Sequence, residues 1–193
     1  DVDTDLRVNI FDIEVNDRNG FPEDGEEPII CLTSYDSFDD QYIAWIWEAE
    51  QGDGKIPESL PNYEPYREAI SVDVRRYGSE AAMLDAFIEY IETTDPDILT
   101  GWNFEDFDAP YFLDRLEEVD TQPTVDQDLS IDRLSRVDEV WRSGWGGPDI
   151  KGRVVFDLLY GYMRTQFTEL DSYRLDAVGE TELGVGKERY SGD

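Results

Sequence analysis

Residues 6–15 read LRVNIFDIEV, and this stretch decides what kind of domain the chain builds. β-Branched and aromatic residues dominate it, so it forms a strand. Strand side chains alternate between two faces. Phe11, Ile13 and Val15 therefore leave one face, which is apolar and belongs to the core. Asp12 and Glu14 leave the other, about 6.6 Å apart along the strand. Val8 and Ile10 precede them there, so two acids interrupt an apolar pattern in mid-run. Two carboxylates on one face of a central strand repel each other and lose hydration unless a cation lies between them. The alternative is a solvent-facing strand end. The strand alone leaves both readings open.

Residues 16–28, NDRNGFPEDGEEP, are turn chemistry throughout. Residues 29–35 and 42–47 read as two further strands of a meander. Residues 51–65, with Gly52, Gly54, Pro57, Pro61 and Pro65, form an exposed loop, and residues 71–77 a short extended stretch. Ser79 caps a helix whose apolar positions Met83, Leu84, Phe87, Ile88 and Ile91 recur at helical spacing, and Pro96 ends it. Residues 97–102 are a short buried strand, and a helix follows over 109–119 with Pro110 in its first turn. Residues 121–147 are the least legible, with some helix expected around 131–141. A strand over 152–156, a helix over 157–166 and a last helix over 175–183, stopped by Gly184, complete the order. The pattern β-β-β-α-β-α-β-α implies one α/β domain over 1–193, a mixed sheet flanked by helices.

Composition narrows the chemistry. The 193 residues include 47 Asp and Glu against 16 Lys and Arg, a net charge of −31, and no histidine. A Ser-His-Asp or Cys-His relay, a zinc-histidine site and a histidine base are all excluded. The single cysteine, Cys31, excludes an intrachain disulfide and a thiolate cluster; its place mid-strand reads as a small core residue. Chemistry here runs on carboxylates, hydroxyls, backbone groups and hard metal ions. No stretch approaches the roughly 20 apolar residues of a membrane span, and the acidic start lacks a secretory leader's basic region. A cytoplasmic protein with no membrane partner is the expectation. The acids are spread along the chain rather than blocked in a tail, and lysine is confined to Lys55, Lys151 and Lys187. That pattern suits a high-salt cytoplasm, where the Debye length of about 3 Å at 1 M screens self-repulsion.

The second informative stretch is residues 101–111, GWNFEDFDAPY. It lies where a strand ends and a helix begins, the crevice α/β sheets use for ligands. Asp108 stands just before the helix, where an N-cap is the plain reading. Asn103 and Phe107 bring an amide and an aromatic face, the equipment for gripping a phosphate and stacking a base. Asp157 is likewise placed to cap the helix that follows it.

These two stretches, in this order, resemble the proofreading 3′→5′ exonuclease domain of family B DNA polymerases. FDIEV matches the first exonuclease motif, Asp-x-Glu on the first strand. Asn103-x-x-x-Phe107-Asp108 followed by Tyr111-x-x-x-Arg115 matches the second. Residues 152–158, GRVVFDL, and 173–178, YRLDAV, running into Leu183-Gly184, fit two further segments. The resemblance implies an RNase H-like fold and hydrolysis of the 3′-terminal phosphodiester of single-stranded DNA by two Mg²⁺ or Mn²⁺ ions. It implies that Asp12 bridges both ions, Glu14 holds the one that activates water, and Asp108 reaches the second through water. Asn103 and Phe107 would hold the frayed 3′ end of primer-template DNA.

Two departures stand out. Val15 replaces a Thr that contacts DNA in many members. The family's third motif, Tyr-x-x-x-Asp on a later helix, is expected some tens of residues beyond YRLDAV. The chain thus reads as a fragment, haloarchaeal by its charge, of a longer chain whose partner would be its own polymerase domain. Rival readings are a stand-alone carboxylate exonuclease, an inactive DNA-binding scaffold, and an acidic cation-binding or interaction module. No Ca²⁺-loop motif supports the last.

Overall fold

Six strands build one mixed sheet in the order β4-β3-β2-β1-β5-β8. The computed structural model describes residues 5–16, 20, 25–47, 71–142, 146–166, 169–184 and 186. β1 (Val8–Val15), β2 (Ile29–Asp36) and β3 (Gln41–Trp47) form the antiparallel meander. β4 (Val72–Tyr77) lies parallel to β3 at one edge. α1 (Glu80–Thr94) leads to β5 (Ile98–Gly101), which runs parallel to β1. α2 (Ala109–Asp120) follows, and β6 (Val140–Trp141) and β7 (Asp149–Ile150) pair as a small separate ribbon. β8 (Val154–Asp157) closes the other edge parallel to β5, and α3 (Leu158–Thr165) and α4 (Leu175–Leu183) come last. This is the mixed α/β architecture expected of an RNase H-like exonuclease fold.

The core lies on the Phe11 face of β1. Phe11 meets Phe104, Phe87 and Phe112 edge-on, with ring centroids 4.7, 5.1 and 5.7 Å away. Edge-to-face pairs at these separations add to what burial alone contributes. Phe87 comes from α1 and Phe112 from α2, so both helices pack on that one face. The Ser79 hydroxyl accepts the Ala82 N–H and caps α1 as expected. The opposite face is less covered: α3 buries no residue among those described.

Two expectations need correction. Helix was expected around 131–141; the chain instead makes a 3₁₀ turn at Ile131–Leu134 and then enters β6. No apolar helical repeat runs through that stretch, and Asp132 and Ser135 draw the backbone into local turns instead. The extended stretch expected over 71–77 is the edge strand β4, paired with β3. Cys31 is half-exposed on the carboxylate face, opposite Glu14, rather than in the core. The expected loop over 51–65 lies outside the described residues.

Candidate active site

β1 is central, with β2 on one side and β5 on the other. Its alternation is as read: Phe11 and Ile13 are buried, and Asp12 and Glu14 are exposed on the opposite face. Asp12 pairs across the ladder with Thr33, and Glu14 with Cys31. Small or polar cross-strand neighbours leave the two carboxylates open to solvent.

The β1–β5 ladder ends at Ile10 and Thr100, one residue before β5 itself ends at Gly101. Gly101 is required there, because a Cβ would come within 2.7 Å of the Phe11 carbonyl oxygen. The chain then turns sharply. Asn103 takes the left-handed conformation at φ 61°, which asparagine tolerates better than most residues. Phe104–Asp108 form a single π-helical turn leading straight into α2. Such wide turns inside helices concentrate at functional sites. This one swings the last residue of the turn, Asp108, back against β1.

Asp108 does not cap α2: its backbone is helical and its side chain makes no capping bond. Its Oδ1 instead accepts the Ile13 N–H at 3.1 Å, beyond the point where β5 supplies partners to β1. The carboxylate thus stands at the residue between Asp12 and Glu14. Asp108 is 3% exposed, and its pKa is pushed up to about 7. Burial is the larger cause, the Asp12 charge the next, and Asp157 adds to it, while the Ile13 N–H pulls the other way.

The remaining expected residues fall around this turn. Asn103 opens it. Phe107 packs on Tyr111 with ring centroids 5.6 Å apart, and the Tyr111 hydroxyl both accepts the Glu27 N–H and donates to the Glu27 carbonyl. The aromatic face is thereby backed by α2 and tied to the segment entering β2. Arg115, one helical turn further along α2, is turned into the protein. It is buried, bonds Glu80 through Nε and Nη2 at 2.8 and 2.7 Å, and donates to the Gly25 and Glu26 carbonyls. Glu80 in turn accepts the Ile29 N–H at 2.8 Å.

Carboxylate oxygens suit a hard divalent ion. The repulsion between Asp12 and Asp108 is the electrostatic condition such an ion relieves. Among the described residues no three acidic or thiol groups enclose a single ion-sized point. The structure therefore brings Asp108 to Asp12 and places Glu14 on the same strand face without closing a cage around one centre.

Sequence reasoning missed the π-helical turn and the role of Asp157. Asn103 carried a signal for the first, since a left-handed residue between a strand and a helix forces an irregular entry. Asp157 caps α3 through the Leu159 N–H as expected, but it also accepts the Glu105 N–H at 2.9 Å. A contact across 52 residues leaves no local pattern.

The family model for the exonuclease domain of DNA polymerase family B matches residues 1–178. The chain is 33% identical to the DNA-directed DNA polymerase of Escherichia phage RB69, over 98% of this chain and 22% of that protein. It is 30% identical to the DNA polymerase delta catalytic subunit of Mesocricetus auratus, over 95% of this chain and 16% of that one. It is 29% identical to a DNA polymerase of Pyrococcus glycovorans, over 97% and 20%. The chain spans about a fifth of the length of these curated relatives.

Proposed function

The chain belongs to the exonuclease domains of family B DNA polymerases, and from that premise we propose that it removes nucleotides stepwise from the 3′ end of single-stranded DNA. Its substrate would be the frayed primer end of primer-template DNA, and its working partner a polymerase domain in the same natural chain. The observation that carries this reading is the Asp108 carboxylate seated at Ile13, between Asp12 and Glu14, with the Asp12 charge acting on it.

Asp12, Glu14 and Asp108 would hold Mg²⁺ or Mn²⁺. When bound, the ions supply a water of lowered pKa and neutralise charge on the leaving 3′ oxygen. The protein's own work is placement. The π-helical turn sets Asp108 against β1, and the Ile13 N–H fixes which oxygen faces the backbone. Phe107, held by Tyr111, offers a face on which a terminal base stacks. The Asn103 amide, at the mouth of the turn, offers a donor and an acceptor to the sugar or phosphate. With no histidine in the chain, no imidazole base competes for this role. An inactive scaffold is the weaker reading, because it would keep the Asp12–Asp108 repulsion without the ion that relieves it.

The test is a single-stranded oligonucleotide labelled at its 5′ end, incubated in high salt with Mn²⁺. A ladder shortening one nucleotide at a time, abolished by chelator and by Asp12→Ala, supports the reading. Immediate release of the label as a mononucleotide would mean the opposite polarity.

A further inference from the structure

Asp157 is a buried carboxylate beside the π-helical turn, and the proposed reaction gives it no part. It closes β8 opposite Gly101 of β5 and is 1% exposed. Each oxygen accepts a different backbone N–H. Oδ1 takes that of Leu159 at 2.8 Å, which caps α3, and Oδ2 takes that of Glu105 at 2.9 Å. A helix cap needs only one oxygen, and serine supplies it as well as aspartate does. The second oxygen serves the π-helical turn. Glu105 lies in the first residues of that turn, where an N–H has no partner within the helix and must find one elsewhere. An acid is a costly choice for a cap here, since its charge bears on Asp108. The two-oxygen bridge accounts for the choice.

We propose that Asp157 is a positioning residue of the nuclease site: it ties β8 to the turn that carries Asn103, Phe107 and Asp108, and so sets where Asp108 meets β1. This rests on the exonuclease reading above. The turn is held to β1 at one point by Asp108 and Ile13, and to β8 at another by Asp157 and Glu105. Two anchors on different strands fix both its position and its tilt. Without the second, the turn loses its backbone tie to β8, and Phe104 packed on Phe11 and the Tyr160 hydroxyl on Asp106 hold it less closely in tilt.

The experiment compares Asp157→Ser, Asp157→Asn and Asp12→Ala in the full natural chain, each assayed on a single-stranded oligonucleotide with Mn²⁺. Serine keeps the cap and cannot reach Glu105; asparagine keeps the volume, but its one carbonyl oxygen serves only one of the two N–H groups. The expected result is a melting temperature close to the parent's, faster amide exchange at Glu105, and a kcat lower by about 10- to 100-fold, with KM changed far less. Where Asp157→Ser does not fold, Asp157→Asn carries the same comparison. Unchanged kcat in either variant, or a loss that only follows the unfolded fraction, overturns the positioning role. An Asp12→Ala enzyme that retains full turnover overturns the nuclease reading itself, and this inference with it.

Discussion

The Asp108 carboxylate accepts the backbone N–H of Ile13 at 3.1 Å, joining the last residue of a π-helical turn to the middle of the first strand, 95 positions away. The bond does what a strand partner would do, three residues past the end of the β1–β5 ladder. It also brings a third acid to the residue between Asp12 and Glu14. The acidic face of β1 and the strand-to-helix turn are brought together by it.

Without metal, that arrangement makes stability depend on pH through Asp108. Its folded pKa of about 7 lies above the ordinary 3.8. The stability linked to its proton is therefore fully present below 3.8 and is lost as pH rises through about 7. Asp95 and Asp97 are shifted downward by their hydrogen bonds to arginine and to the backbone, so their contributions are lost only in stronger acid. In EDTA, melting scans from pH 5 to 8 should show the parent losing stability relative to Asp108→Asn, by about 3 kcal/mol at the most. Parallel curves for the two proteins would show that Asp108 is not strained in this way.

Arg115 and Glu80 give a second expectation. Both are buried, and the pair clamps the segment entering β2 through the Gly25, Glu26 and Ile29 backbone groups. Removing one partner strands the other charge in the interior. Arg115→Ala should cost about 3–5 kcal/mol in urea unfolding. Arg115→Met together with Glu80→Leu should recover much of it, because the uncompensated charge is gone. A single-variant loss below about 1 kcal/mol would place the pair in the weak class of exposed ion pairs.

Much of this was legible in the chain. The period-2 alternation of β1 gave both the core face and the acidic face, and the helical spacing from Met83 to Ile91 gave α1 with its Ser79 cap. The site residues were legible as a strand pair and a strand–helix junction. What escaped depends on contacts distant in sequence. Asp108 looked like a cap because its neighbours are helical, and only the end of β5 frees Ile13 to claim it. Arg115 was legible as part of a motif, but its partners, from the turn before β2 and the start of α1, were not, because they lie far off in sequence. Cys31 looked like core because strand residues often are, but it shares the open face of β1 and β2 with Glu14.

The net charge of −31 sets the salt dependence. Self-repulsion grows as the Debye length lengthens from about 3 Å at 1 M to about 10 Å at 0.1 M. Raising KCl across that range should raise the melting temperature, and lowering it should loosen the fold in circular dichroism. A melting temperature that falls steadily with added KCl would contradict a fold adapted to high salt.

Anomalous diffraction from crystals soaked in Mn²⁺ decides whether Asp12, Glu14 and Asp108 form one divalent-metal nuclease site. A manganese peak should lie in contact with the Asp12 carboxylate, beside Glu14 and Asp108, and vanish in Asp12→Ala crystals soaked in the same way. Manganese bound elsewhere on the acidic surface, with the Asp12 and Asp108 carboxylates bare, would rule that site out.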